Sequence, residues 1–195
     1  GMAAILLIPE VCAIMETDFG DMDFPETVES YFSVLDMLGR HCMCVFTHRG
    51  LDHWPNIYCG SAIMMLVPMY LLNMKISIRE KFVRLVLIGF MLLSFSTNML
   101  DFIWHGLNYP DSFPGRQSFI YILLVLTMCY EAFLHVREVE EKQILTGYIC
   151  AVVFLVFSEK FVTHTDFEWG VEILNIVFIS VYAILLWLYR TKDNC

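Results

Sequence analysis

A polar stretch lies between two apolar segments at residues 100–126, LDFIWHGLNYPDSFPGRQSFIYILLVL. If a helix runs through Asp101 and His105, their i,i+4 spacing brings the carboxylate beside the imidazole, where it can orient the ring and raise its basicity. This pair, with Trp104 beside it, could contact a polar substrate or a lipid phosphate. The alternative interpretation is that Trp104 and His105 only anchor a helix end at the membrane interface.

An arginine follows this pair at the start of the next apolar segment. Pro110 and Pro114 force the chain into a bent path, so that Arg116 is presented within a turn of the following helix. Its guanidinium and the free backbone N–H groups of the helix start favour phosphate binding there. A structural role remains open, in which Arg116 pairs with Asp101 or Asp111.

A second polar group, in the stretch LDHWPNIYCG, precedes an earlier apolar segment. Asp52, His53 and Asn56 are predicted at the same membrane level as His105 and Arg116, so two loops could converge on one cleft. Asn56 could equally cap the start of the helix, because asparagine is a preferred N-cap residue. That interpretation explains the residue without any function.

The stretch HCMCVFTH contains four possible metal ligands, His41, Cys42, Cys44 and His48. The cysteine spacing does not match the usual zinc motifs, which leave about two to four residues between cysteines. We therefore predict no metal site, although a soft-metal site is the alternative. The preferred interpretation is an amphipathic segment lying on the bilayer. Because the sequence also lacks nucleotide-binding and hydrolase motifs, no cofactor is predicted and the catalytic residue is unknown.

The composition indicates that lipid surrounds much of the chain. The 195 residues are 58% hydrophobic and 17% charged, and the mean hydropathy is +0.63. Ordinary soluble domains have about 25% charged residues. The net charge of −9 excludes the basic footprint that nucleic-acid binding requires.

Apolar segments of roughly bilayer-spanning length recur along the chain, which predicts an all-α, polytopic transmembrane helix bundle. We expect a single integral-membrane region, residues 1–195, with a partial helix at 1–15 and an outward loop at 16–56. The five predicted full spans are about 57–72, 82–97, 118–135, 144–161 and 171–189.

The distribution of basic residues predicts the orientation, because cytoplasmic loops are enriched in lysine and arginine. Eight of the twelve basic residues follow the first, third and fifth spans, and the polar loops at the other end are therefore predicted to be extracytoplasmic. The eight are Lys75, Arg79, Lys81, Arg84, Arg137, Lys142, Arg190 and Lys192.

Three motifs together resemble the YfhO family of bacterial polytopic membrane proteins. They are WPNIYCG, LLNMKISIREK and LLSFSTNMLDFIWHGLNYPDSFPGRQSFIYILLVLTMCYEAF, and the resemblance covers roughly residues 51–133. It implies a C-type glycosyltransferase in the bacterial cytoplasmic membrane. Such an enzyme transfers a sugar from a polyprenyl-phosphate donor to a cell-envelope polymer such as lipoteichoic acid, on the outer side of the membrane.

The resemblance also implies which part of the enzyme this chain represents. Enzymes of this type place the catalytic carboxylate in an early outward loop, so the chain is expected to be an internal fragment that is inactive alone. Its expected role is to contact the donor phosphate or the acceptor, and its expected partners are membrane lipids and these substrates. The alternative is a non-enzymatic scaffold or flippase-like component that binds lipid intermediates. The candidate binding residues are Arg116, His105, Asp101, Trp104 and Asn56.

Overall fold

The computed structural model describes residues 2–16, 24–45, 54–107, 115–161 and 169–191, and within these ranges the regular structure is helical apart from an isolated β-bridge between Ser30 and Thr97. The prediction of an all-α fold is confirmed. The helices are α1 (Met2–Met15), a 3₁₀ helix (Asp36–His41), α2 (Ile63–Leu72), α3 (Ile78–Ser96), α4 (Asn98–Trp104), α5 (Ser118–Leu134), α6 (Glu141–Phe161) and α7 (Trp169–Thr191).

Two helices in the described ranges are long and apolar enough to cross a bilayer, at Glu141–Lys160 within α6 and at Trp169–Thr191. The shorter helices α2 and α5 are apolar as well. Although α3 has 19 residues, its first two turns carry Arg79, Glu80, Lys81 and Arg84, which shorten its apolar part. The structure therefore supports a membrane protein, but it does not confirm five full spans.

The helix α2 begins at Ile63, although the predicted span begins at residue 57. Residues 54–60 are irregular, and Gly60 has a φ of +107°, a conformation that a helix cannot contain. The carbonyl of Gly60 then accepts the N–H of Ile63 at 3.3 Å in the turn that starts the helix. Asn56 consequently lies well before α2 and does not cap it.

The next two helices, α3 and α4, are separated by Thr97 alone. Helix α3 begins after Ser77, whose hydroxyl accepts the N–H of Glu80 at 3.2 Å as an N-cap. Thr97 adopts an extended conformation, with φ of −112° and ψ of 125°, and the helical path resumes at Asn98. The candidate residues of α4 thus belong to a short helix that is separate from the apolar α3.

The centre of the fold is the packing of α2 against α5 and α6, with α7 packed on α6 and α3 on α5. The face of α6 toward α2 carries the small residues Gly147 and Ala151, four positions apart, and Ala151 is fully buried. Small residues at this spacing let helix backbones approach closely in membrane proteins. A Cβ on Gly147 would lie 3.0 Å from the Met65 carbonyl oxygen, so this contact involves the backbone of α2.

The two ends of the bundle differ in chemistry. At one end, Lys75 pairs with Glu138, and Arg190 donates to the Val139 carbonyl at 2.6 Å and to the Glu141 carboxylate at 2.9 Å. The opposite end, which we call the polar end, consists of residues 24–45, 54–62, 98–107 and 115–117. It carries the candidate functional residues.

Candidate functional site

The segment 24–45 crosses the polar end and is fixed at the start of α4. Asn98 accepts the N–H of Glu29 through its Oδ1 at 2.9 Å and donates its own backbone N–H to the Glu29 carbonyl at 3.1 Å. The ring of Phe32 stacks on Trp54, with ring centroids 4.0 Å apart. These contacts hold the segment against both α4 and the chain that leads into α2.

Asp101 and His105 form a buried pair on α4. The His105 Nδ1 lies 3.2 Å from the Asp101 carboxylate and 2.8 Å from its carbonyl oxygen, and the two side chains are 5% and 3% exposed. The hydrogen bond to the carboxylate raises the pKa of His105 above its usual value, because it stabilises the imidazolium. Within the described part of the chain, the other ring nitrogen, Nε2, is buried and has no hydrogen-bond partner. In the protonated ring, this nitrogen is a hydrogen-bond donor without a partner among the described residues.

Arg116 lies immediately before α5, and its side chain is exposed. Its positive charge slightly opposes the raised pKa of His105, which puts the two groups within electrostatic reach of each other. Gly115 has a φ of +67°, and a Cβ there would lie 3.2 Å from the Cα of Pro55. This close approach brings the start of α5 against residues 54–60, so the two predicted loops meet at the polar end.

Asn56 lies next to Pro55 and binds an arginine that the sequence analysis did not select. The Arg40 Nη2 donates to the Asn56 Oδ1 at 3.0 Å, and the Arg40 Nε donates to the Pro55 carbonyl at 3.4 Å. Both residues line a recess of about 300 Å³ together with Cys42 and Tyr58. Asn56 therefore positions a second guanidinium at the polar end.

The remaining predicted residues have simpler surroundings. Trp104 is 40% exposed at the end of α4, as an interfacial anchor would be. Asp52, His53, Asp111 and His48 lie outside the described residues. In the ranges that the structure covers, no group of three or more His, Cys, Asp or Glu side chains is arranged to hold a metal ion.

His41 belongs to the interior of the fold and does not lie on the bilayer surface. The predicted amphipathic segment folds into the polar end, where Met37, His41 and Cys42 are buried. The His41 ring contacts the Leu38 carbonyl at 3.2 Å through Nδ1 and the Tyr121 hydroxyl at 2.7 Å through Nε2. Burial lowers the pKa of His41 to about 4, so its ring is neutral at pH 7. The carbonyl requires a proton on Nδ1, and Nε2 therefore accepts from Tyr121.

Asn175 is a second buried polar residue that the sequence analysis missed. Its Oδ1 accepts the Met43 N–H and the Ser61 hydroxyl, both at 3.0 Å, and its Nδ2 donates to the carbonyls of Met43 at 3.2 Å and Val171 at 2.7 Å. One amide thus joins α7 to the segment 24–45 and to the turn before α2. The available signal was a lone asparagine inside an otherwise apolar helix, which usually has a specific partner.

We expect Asn175→Leu to lower the stability of the protein by about 1–3 kcal/mol, because it leaves the buried Met43 N–H and Ser61 hydroxyl without their acceptor. Thermal melting in detergent micelles, followed by size-exclusion chromatography, measures the change. Val177→Leu, on the exposed face of the same helix, is the matched control. Equal melting of Asn175→Leu and the wild type would contradict the bracing role.

The fold and the polar end define an α-helical membrane protein in which two cationic groups and a buried carboxylate–imidazole pair gather at one end of the bundle. A family model described as bacterial membrane protein YfhO matches residues 1–194. The chain therefore belongs to the YfhO family of bacterial membrane proteins. No curated protein and no solved structure matches it. The family match extends beyond the motifs at 51–133 to nearly the whole chain.

Proposed function

We propose that this chain is part of a membrane glycosyltransferase that moves a sugar from a polyprenyl-phosphate donor to a cell-envelope polymer such as lipoteichoic acid. Membership of the family supports a function at the membrane. The observation that carries the proposal is the buried Asp101–His105 pair within electrostatic reach of Arg116 at the start of α5. A cationic arginine and an imidazole with a raised pKa suit the phosphate of a lipid-linked sugar.

In the proposed reaction, the oxygen of an acceptor hydroxyl attacks the anomeric carbon of the sugar while the bond from that carbon to the phosphate oxygen breaks. A carboxylate outside the described residues takes the hydroxyl proton, and the lipid phosphate leaves with the negative charge. Arg116 and the His105 Nε2–H stabilise that developing charge. Asp101 is a positioning residue, because it orients the imidazole and favours its protonated form.

The proposed orientation in the membrane rests on the distribution of basic residues. We place the end that carries Lys75 and Arg190 in the cytoplasm, since basic loops remain inside, and the polar end outside the bacterial cytoplasmic membrane. This orientation puts the candidate phosphate site on the side where cell-envelope polymers are built. The partners in this proposal are membrane lipids, the polyprenyl-linked sugar and the polymer acceptor.

A second candidate function is a non-enzymatic component that binds or moves lipid-linked intermediates. The observation that favours it is that the Asp101 carboxylate accepts a hydrogen bond from His105, so its role is to position the imidazole and not to act as a general base. A phosphate-binding site without a general base binds a lipid intermediate and does not react with it. The test below separates the two functions.

We expect Arg116→Ala in the full-length protein to lower sugar transfer about 10- to 100-fold, because a charge-assisted hydrogen bond contributes about 1.5–3 kcal/mol. Arg116→Lys should retain part of the activity, since it keeps the charge and loses the bidentate geometry. The measurement is transfer of radiolabelled sugar from a synthetic polyprenyl-phosphate donor in proteoliposomes.

Arg79→Ala is the control and should leave transfer unchanged, because Arg79 lies in the first turn of α3, at the end of the bundle opposite the polar end. Full transfer by Arg116→Ala would exclude the proposed phosphate contact. If the wild type transfers no sugar but binds the donor in an Arg116-dependent manner, the non-enzymatic function is correct.

A further inference from the structure

An apolar cavity of about 330 Å³ lies between α2, α3, α5 and α6 below the polar end, and it is partly open at Leu85 of α3, which is 43% exposed. Side chains of α2, α3, α5 and α6 line it, among them Val67, Ile88, Val125 and Phe154. Its lining has no charged side chain, and its polar lining groups include the hydrogen-bonded rings of His41 and Tyr121. The cavity therefore has no charged group to bind an ion, and its apolar lining suits a hydrocarbon.

Pro68 interrupts the backbone hydrogen bonding of α2 beside the cavity. Pro68 lies inside α2 and has no N–H to donate to the carbonyl four residues earlier, that of Met64. Both residues line the cavity. An empty apolar void loses dispersion contacts around its whole lining, and such voids bind apolar molecules in preference to water. In a membrane, the abundant apolar molecules are lipid chains.

A buried amide, that of Gln117, lies at the start of α5, one helical turn before Tyr121 of the cavity lining. Gln117 and Tyr121 are 3% and 4% exposed, and their i,i+4 spacing puts them on one face of the helix, about 6 Å apart along its axis. Neither the Oε1 nor the Nε2 of Gln117 has a hydrogen-bond partner within the described residues. A buried amide without partners costs about 1–3 kcal/mol, which a ligand that hydrogen-bonds it would recover.

Along α5, a cationic group, a buried amide and an apolar cavity follow one another, in the order that the phosphate and the chain of a lipid phosphate would need. Arg116 is exposed at the top, Gln117 is buried beneath it at the helix N-terminus, and Tyr121 borders the apolar cavity one turn lower. Its volume of about 330 Å³ accommodates part of one hydrocarbon chain and not two chains side by side, as a phospholipid would require. A single-chain lipid with a phosphate at its end fits this sequence of surfaces.

We propose that the cavity and the start of α5 form one binding site for a polyprenyl phosphate, with the part of the isoprenoid chain nearest the phosphate in the cavity and the Gln117 amide donating to a phosphate oxygen. Arg116 binds the outer oxygens of the same phosphate. This inference rests on the proposed function, because it identifies how that site holds the lipid part of the donor. It assigns Gln117 a binding role and assigns the α2–α3–α5–α6 cavity a ligand.

The test is photo-crosslinking in the full-length protein, reconstituted in phosphatidylglycerol nanodiscs. The probe is a polyprenyl phosphate with a diazirine in its isoprenoid chain, and peptide mass spectrometry locates the adducts. We expect adducts on the cavity lining. Ile88→Trp, which fills the cavity, should lower labelling about tenfold, whereas Leu87→Trp on the exposed side of α3 should not change it.

Gln117→Leu provides a second variant that separates binding from folding. Because it removes a buried amide without partners, it should melt at a temperature equal to or above that of the wild type in lipid-free detergent. Its labelling by the polyprenyl phosphate should nevertheless fall about tenfold, which corresponds to ~1.4 kcal/mol. Unchanged labelling of this variant would overturn the role of Gln117.

Three further outcomes decide between the inference, bulk lipid and the proposed function. Equal labelling of the lining by a diazirine phosphatidylglycerol, without competition by unlabelled polyprenyl phosphate, would overturn the isoprenoid site in favour of bulk lipid. If no probe labels the lining while sugar transfer persists, the site is wrong and the proposed function stands. If the labelling pattern holds without any transfer, the lipid site stands and the glycosyltransferase function falls.

Discussion

Replacing Gly147 with leucine is expected to separate α2 from α6 and to destabilise the protein by more than about 3 kcal/mol. A Cβ alone would lie 2.7 Å from the Cγ of Met69 and 3.0 Å from the carbonyl oxygen of Met65. The methionine side chain can move, since it is flexible, but the carbonyl belongs to the backbone of α2. The larger side chain must therefore displace the helix at the centre of the bundle.

The matched control for this substitution is Gly89→Leu. Gly89 lies inside α3, and a Cβ there meets nothing within 4 Å. Leucine should be neutral or stabilising at that position, because glycine is a poor helix former. Thermal melting and monodispersity in detergent compare the two variants. If both variants melt like the wild type, the close approach of α2 and α6 is wrong.

Acid is expected to destabilise the polar end through His41. The pKa of this residue is lowered from 6.5 to about 4, chiefly because burial disfavours the imidazolium. Between these two values the unfolded chain binds a proton that the native protein does not, so stability falls as pH decreases from 6.5 to 4. The full loss amounts to about 3 kcal/mol, since one pKa unit corresponds to about 1.4 kcal/mol.

The variant His41→Gln isolates this contribution, because glutamine does not titrate. Melting temperatures measured from pH 7 to pH 4 should decline less steeply in this variant than in the wild type. His135→Gln, at the opposite end of the bundle, is the control and should keep the wild-type slope in the upper part of this range. The pKa of the Glu138 carboxylate is lowered from 4.5 by its hydrogen bonds to Lys75 and His135, so it stays charged in the upper part of the range. Parallel pH profiles of His41→Gln and the wild type would refute the role of His41.

The apolar segments of the sequence located three of the helices closely. The spans predicted at 118–135, 144–161 and 171–189 correspond to α5, α6 and α7, with ends that differ by no more than three residues. The start of α2 was predicted too early, because hydropathy does not register that Gly60 breaks the helical path in an apolar stretch.

The candidate site was predictable only where its contacts are local. Asp101 and His105 are four residues apart, so helix periodicity alone brings them together. The contact between His41 and Tyr121 joins residues 80 positions apart, and that between Asn175 and Met43 joins residues 132 positions apart. No local pattern encodes such pairs, because they depend on how the helices pack. Gln117 was likewise unremarkable in sequence, and it is its burial without partners that makes it a candidate.

The extended conformation of Thr97 has a mechanical consequence for His105. Because α3 and α4 are not one continuous rod, the direction of α4 is set by what holds its start, and Asn98 is held by Glu29 of the segment 24–45. The same segment is hydrogen-bonded to the last turn of α3, where the Tyr31 N–H donates to the Ser96 carbonyl at 2.8 Å. Residues 24–45 therefore hold both helices at their junction, and the position of the His105 imidazole depends on this segment as well as on α3.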